Sequence, residues 1–167
     1  MDYRIEKLET FKIAGFAIHS TNAWLKGMRD CPAFWKKIIK EEKNEQLVPL
    51  INRKPFGLLG ASVYNVDSTD PKKFDYYIAA ATTQETPAGM SDYTVPAMTW
   101  AVFPCTRKTS GKTQMAIVKN WAPTSDYILL NTGYASGKMT SAAPDLEVYG
   151  MGDDVEIWVP VKEKSEG

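Results

Sequence analysis

The chain has little of what most functional classes require. Its 167 residues contain only two cysteines, Cys31 and Cys105, too few for the disulfide framework of a small secreted domain, so a reducing cytoplasm is the expected location. The single histidine, His19, would have to anchor any metal cluster or Ser-His-Asp triad alone. It is read as an ordinary polar residue at a strand end, and no metal or cofactor, haem included, is expected. Lysine plus arginine, 20, equal aspartate plus glutamate, 20. With no basic tract, direct nucleic-acid binding is not expected. No apolar run approaches the ~18–20 residues that span a bilayer, and the opening MDYRIEKLE is too acidic for a signal peptide. TSGK at 109–112 lacks the glycine spacing of a phosphate loop. Cys105 lies near Arg107 and Lys108, cations able to activate a thiol, but is read as buried and inert.

What remains is apolar and aromatic. The apolar fraction is 44%, ordinary for a globular chain, and the length suits one domain over 1–167. Residues 3–9 alternate charged and apolar side chains, as a half-buried strand does; 11–20 continue as a second strand. From about residue 22 the spacing is helical, with Cys31-Pro32 expected to split a short turn from the main helix. Strands follow at 56–65 and 74–82. Residues 93–103 read as one long strand with Pro96 at an edge or bulge. A short helix at 113–121 precedes a stretch at 131–143 rich in Ser, Gly and Ala, expected to be flexible and a possible lid. Two last strands occupy 146–160.

The pattern repeats. AGFAI, FWKKII, GLLGASVY and DYYIAAA give strand, helix, strand, strand; MTWAVFP, MAIVKNW, LEVYG and VEIWVPV give it again. The predicted fold is α+β: two pseudo-repeated βαββ halves, about 1–85 and 86–163, forming antiparallel sheets with one main helix each. A ligand groove between the halves follows, because pockets favour such seams.

Several segments carry a resemblance: DYRIEKLETFKIAGF, AFWKKI, YIAAATTQETPAGMSDYTVPAMTWAVFPC, KNWAPTSDY and LEVYG…VEIWVPV. In this order they resemble the GyrI-like domain, the effector-binding module of bacterial multidrug-responsive transcription regulators. The resemblance implies two βαββ halves around a pocket for bulky, often cationic, aromatic compounds. Regulators of that family attach a helix-turn-helix region; the strand pattern here starts at Tyr3, so a stand-alone ligand binder is expected.

The candidate site centres on LEVYGMGDDVEIWVP, 146–160. Strand alternation puts Glu147 and Tyr149 on one face, and Glu156 and Trp158 on one face of the next strand. A two-residue turn at Met151-Gly152, or a four-residue loop, sets Glu147 opposite Glu156; a five-residue loop sends them to opposite faces. Gly152 favours the two-residue turn. Opposed carboxylates in a partly dry cleft repel, and an aromatic cation would relieve the conflict with ~0.5–2 kcal/mol of cation–π attraction added. Trp100, Tyr64 and Tyr77 join the four as candidate ligand-binding residues. Trp24, Phe34 and Trp35 are expected in the core or at the pocket rim, and Trp121 against the sheet.

Aromatic cationic small molecules are thus the expected partners. Two alternatives use the same resemblance. One is a hydrolase opening cyclopropane rings of DNA-alkylating natural products, with Glu156, Glu147 and Tyr149 as its groups. The other is a protein that inhibits DNA gyrase by contact.

Overall fold

The computed structural model describes residues 1–133 and 138–166. Its strands are β1 Arg4–Leu8, β2 Phe11–Thr21, β3 Leu58–Tyr64, β4 Lys73–Thr82, β5 Ser91–Val95, β6 Met98–Thr106, β7 Tyr127–Leu129, β8 Leu146–Tyr149 and β9 Asp154–Glu163. The helices are α1 Lys26–Lys40, α2 Asn44–Leu47 and α3 Ser110–Ala116, the last extended by a π-helical turn over Ile117–Trp121. All the strands belong to one sheet in the order β1-β6-β9-β8-β3-β4-β2-β5, with β7 also paired to β9, and every pairing is antiparallel. This α+β architecture is the one the repeat pattern implied.

Counted outward from the centre, β8, β9 and β6 mirror β3, β4 and β2. The outermost strands are exchanged: β1, which leads into β2, pairs with β6, and β5, which leads into β6, pairs with β2. The exchange corrects the single long strand expected over 93–103. Pro96 supplies no N–H for a ladder, so β5 stops at Val95 and β6 starts at Met98. The two pieces lie in opposite wings of the sheet.

Alternation of side chains sorts the apolar residues to two faces. On one face, Leu59, Ala79, Trp100, Leu146, Val148 and Trp158 share a buried cluster with Phe11 and Val95. The rings of Phe11 and Trp100 lie 6.5 Å apart, although four strands separate β2 from β6 in the hydrogen-bonded order. The sheet therefore curls until this face closes on itself. The opposite face carries the helices. Phe34 and Ile38 of α1 pack on Phe74, Tyr76 and Ile78 of β4. Ile117 and Trp121 pack on Phe103, Ile157 and Val159 of β6 and β9, so Trp121 lies against the sheet as expected.

Helix α1 runs unbroken through Pro32, contrary to the expected split. The missing N–H deprives only the Met28 carbonyl of its partner, and Met28 is an exposed residue. Before the helix, Trp24 and Leu25 take left-handed φ of 57° and 56°. Trp24 is 93% exposed, which removes it from the core, while Phe34 is buried and Trp35 half-buried. Residues 134–137, inside the stretch expected to be flexible, lie outside the described residues. Their flanks are joined: Asn131 bridges Met139, and the Thr132 N–H donates to the Lys138 carbonyl at 2.8 Å. Among the described residues no helix is long and apolar enough to cross a membrane.

Candidate functional site

Helix α1 covers β2 and β4, α3 covers β6 and β9, and the two central strands β3 and β8 floor the seam between them. Glu147 and Tyr149 face this seam. Glu147 lies deep in the protein yet keeps part of its surface open. The Tyr149 hydroxyl donates to Glu147 Oε2 at 2.8 Å, and the Tyr76 hydroxyl lies beside the same carboxylate. Trp35 of α1 donates its Nε1–H to the Tyr76 oxygen at 2.7 Å and sets its ring edge-on to Tyr149, 4.8 Å between centroids. Arg107 stands 5.3 Å from the centroid of the Tyr149 ring.

Gly60 of β3 makes this cluster possible. A Cβ there would come within 2.5 Å of the Tyr76 hydroxyl and 3.4 Å of Glu147 Oε1. The cluster is also electrostatically uniform. Burial raises the Glu147 carboxyl, against the pull of the Tyr149 and Tyr76 hydroxyls beside it. Burial and then the Glu147 charge raise Tyr76 and Tyr149, and push the Cys31 thiol up to about 12. These three groups are therefore protonated donors at neutral pH. Cys105 is also raised, chiefly by burial, the direction of an inert thiol.

Next to this cluster, where α3 faces the start of α1, opens a cavity of about 350 Å³. Met28, Ile117, Leu129 and Ile157 give it apolar walls, and Asp145, immediately before β8, also lines it. Asn131 Nδ2 donates to Asp145 Oδ1 at 3.1 Å and to the Ala143 carbonyl at 3.0 Å; Asn131 Oδ1 accepts from the Ser141 N–H at 2.9 Å. Burial pushes the Asp145 carboxyl up to about 7, with the Asn131 hydrogen bond acting against it. Lys119 of α3 lines the cavity, but among the described residues neither Asp145 nor Glu147 takes part in a salt bridge.

The structure overturns the expected pairing of carboxylates. Five residues, 150–154, separate Tyr149 from its partner Val155, so Glu147 opposes Ile157 and Val148 opposes Glu156. Gly152 turns with φ of 63°, and the odd loop flips β9 relative to the expected register. Glu156 therefore lies on the face away from the helices. There Arg4 binds both its oxygens, at 2.6 and 3.2 Å, and Trp158 donates to Oε1 at 3.1 Å. That charge is already neutralised, and Arg4 holds the Glu156 carboxyl below the usual range although burial acts the other way.

Trp158, Trp100 and Tyr77 fill the closed core instead of the seam. Trp100 is fully buried, its indole N–H without a partner among the described residues. Tyr64 is on the helix face but stacks on Phe74 at 5.0 Å, within the core under α1. Of the seven expected residues, Glu147 and Tyr149 share the seam. Sequence reasoning missed Asp145, Tyr76 and Asn131. The period-two spacing of Asp145 and Glu147 was visible, as was a glycine inside strand 56–65.

His19 is exposed and pairs with Asp75 through Nδ1 at 2.5 Å. Among the described residues no cluster of histidine, cysteine, aspartate or glutamate is arranged to hold a metal.

Known structures share the fold. SAV2435, in a structure bound to tetraphenylphosphonium, matches with TM-score 0.73 and 21% identity over 97% of this chain and 94% of its own. A transcription regulation protein of Staphylococcus aureus MU50 matches at 0.71 and 20%, covering 97% and 99%. The integron cassette protein VCH_CASS2 of Vibrio cholerae matches at 0.60 and 16%, covering 96% and 95%. At these identities the likeness is one of fold. No curated protein gives a significant sequence match. The Cass2 family, integron-associated effector binding protein, matches residues 4–161. With that match spanning nearly the whole sequence, the chain belongs to the family of integron-associated effector-binding proteins.

Proposed function

We propose that the protein binds bulky aromatic small molecules carrying positive charge in the seam between α1 and α3. One observation carries the reading: the seam side of the β8 segment holds two half-buried carboxylates, Asp145 and Glu147, with no salt bridge to either among the described residues. Burying a carboxylate without a cation is unfavourable, and both groups respond by holding their protons more tightly. A cationic guest supplies the missing charge, while the apolar walls and the rings of Trp35 and Tyr149 supply contact area and cation–π attraction. The tetraphenylphosphonium held by SAV2435 has this character: apolar rings around one positive centre. Ethidium and a neutral dye of similar area, titrated by fluorescence, test the reading. Ethidium should bind more tightly, and Glu147→Gln should reduce its advantage; equal binding of the two dyes would refute the proposal.

A second reading, ring-opening hydrolysis, is favoured by the Tyr149–Glu147–Tyr76 arrangement, which sets a carboxyl among phenols beside the cavity. Glu156 has no part in it, being on the other face. Mass spectrometry of a cyclopropane-bearing aromatic alkylator after incubation should then show a water adduct that disappears with Glu147→Gln. An unchanged alkylator excludes turnover.

A further inference from the structure

The two seam carboxylates are not equivalent. Glu147 accepts a hydrogen bond from the Tyr149 phenol, has the Tyr76 phenol beside it and faces rings. Asp145 differs in three ways. It accepts a single hydrogen bond, through Oδ1, from an asparagine whose other polar contacts are all made to the segment around it. Its Oδ2 has no hydrogen-bond partner among the described residues. The residue is half-buried and lines a cavity whose other walls include Met28, Ile117, Leu129 and Ile157. An acceptor left open on a half-buried residue at a cavity wall calls for a donor from the ligand.

We propose that Asp145 and Asn131 form a hydrogen-bonding subsite that selects ligands whose cationic nitrogen carries an N–H, a protonated amine or amidine, over quaternary cations. The inference rests on the proposed binding of aromatic cations in the seam. A quaternary ammonium or phosphonium centre satisfies the charge of the site but leaves Oδ2 unbonded. A protonated amine satisfies both, through a short charge-assisted N–H···O bond. The aliphatic walls of Met28, Ile117, Leu129 and Ile157 accept the hydrocarbon part of such a ligand. Lys119 stands in the lining without pairing with Asp145, and from α1 the cavity receives Met28. The nearest further carboxylate on the same strand face is Glu147, about 7 Å away along the chain at ~3.4 Å per residue. That spacing leaves Asp145 free to engage the head group while Glu147 and its rings meet the remainder of a larger molecule.

The test uses three naphthalene probes with the intact chain at about pH 8, where a carboxyl titrating near neutrality is mostly ionised. They are protonated N,N-dimethyl-naphthylmethylamine, its N-methyl quaternary salt, and neutral naphthylmethanol, each followed by isothermal titration calorimetry. The amine should bind about tenfold more tightly than its quaternary salt, the size of one charge-assisted hydrogen bond. In Asp145→Asn, which removes the charge with little change of shape, that preference should vanish. Equal affinities for amine and quaternary salt in the wild-type protein would overturn the subsite, as would a preference that survives Asp145→Asn. The wild-type comparison decides the matter even if the variant does not fold. If naphthylmethanol binds as well as both cations, the underlying cation-binding proposal fails instead, so the two failures are distinguishable.

Discussion

Residue by residue, the fate of each carboxylate follows from what stands beside it. Glu156 has an arginine, so Glu156→Gln should reduce stability by at most about 1 kcal/mol, as expected for a half-exposed pair. It should leave the affinity for ethidium unchanged, which thermal melts and a dye titration can check. Glu147 has phenols in place of a cation. Gly60→Ala drives a methyl group into the Tyr76 hydroxyl, and should weaken cation binding while costing about 1–3 kcal/mol of stability through overpacking. A Gly60→Ala protein with wild-type dye affinity and melting temperature would show that this contact is easily absorbed. The residue types of this site were legible: an acid and an aromatic two apart on a strand, beside a domain seam. Their partners were not, because Tyr76 comes beside Glu147, and Trp35 meets Tyr76 and Tyr149, across pairings of strand and helix that local spacing does not encode.

At the level of elements, one loop decides which carboxylates meet. The turn after β8 contains an odd number of residues, and a strand has a side-chain period of two, so every assignment on β9 inverts. Gly152 was a sound turn signal but did not fix the loop length. Its left-handed φ with open space around the missing Cβ isolates the backbone effect. Gly152→Ala should destabilise the protein by roughly 1–2 kcal/mol through conformation alone, measurable by chemical denaturation; no change in midpoint would mean that the turn relaxes freely. The same limit explains the strand misread across Pro96. Composition marked both parts as extended, but only pairing distant in sequence shows that the proline separates two strands in opposite wings. The main helices and most strands were legible, since their periodicity is local. The repeat and the resemblance implied the two βαββ halves, but the strand order, with its exchanged outer strands, is set by pairings distant in sequence.

Across the whole molecule, two helices on one face of a curled sheet create a seam that the closed opposite face cannot offer. Trp100, Trp158 and Tyr77 were assigned to the ligand because large aromatics on strands suit either role; the curl of the sheet gives them to the core. Asp145 at the seam makes stability depend on pH. Its carboxyl is raised to about 7 in the folded protein, against about 4 in an unfolded chain. The native state thus binds this proton more tightly than the unfolded state, and the contribution, full below about pH 4, is lost as pH rises through about 7. Asp145→Asn should therefore melt near the wild-type temperature at pH 4 and above it at pH 8. An Asn variant less stable than the parent at pH 8 would mean that the carboxylate is stabilised by groups other than Asn131. Cation affinity should move the opposite way to wild-type stability, rising through the same interval as Asp145 ionises.

The central claim is that the seam over β8 holds negative charge awaiting a cation, and a crystal structure of the protein grown with tetraphenylphosphonium tests it most directly. The result expected is the four-ring cation lodged between α1 and α3, its phosphorus within ionic reach of Asp145 or Glu147. A cation bound instead against the Arg4–Glu156 face, or lodged away from both seam carboxylates, would contradict it.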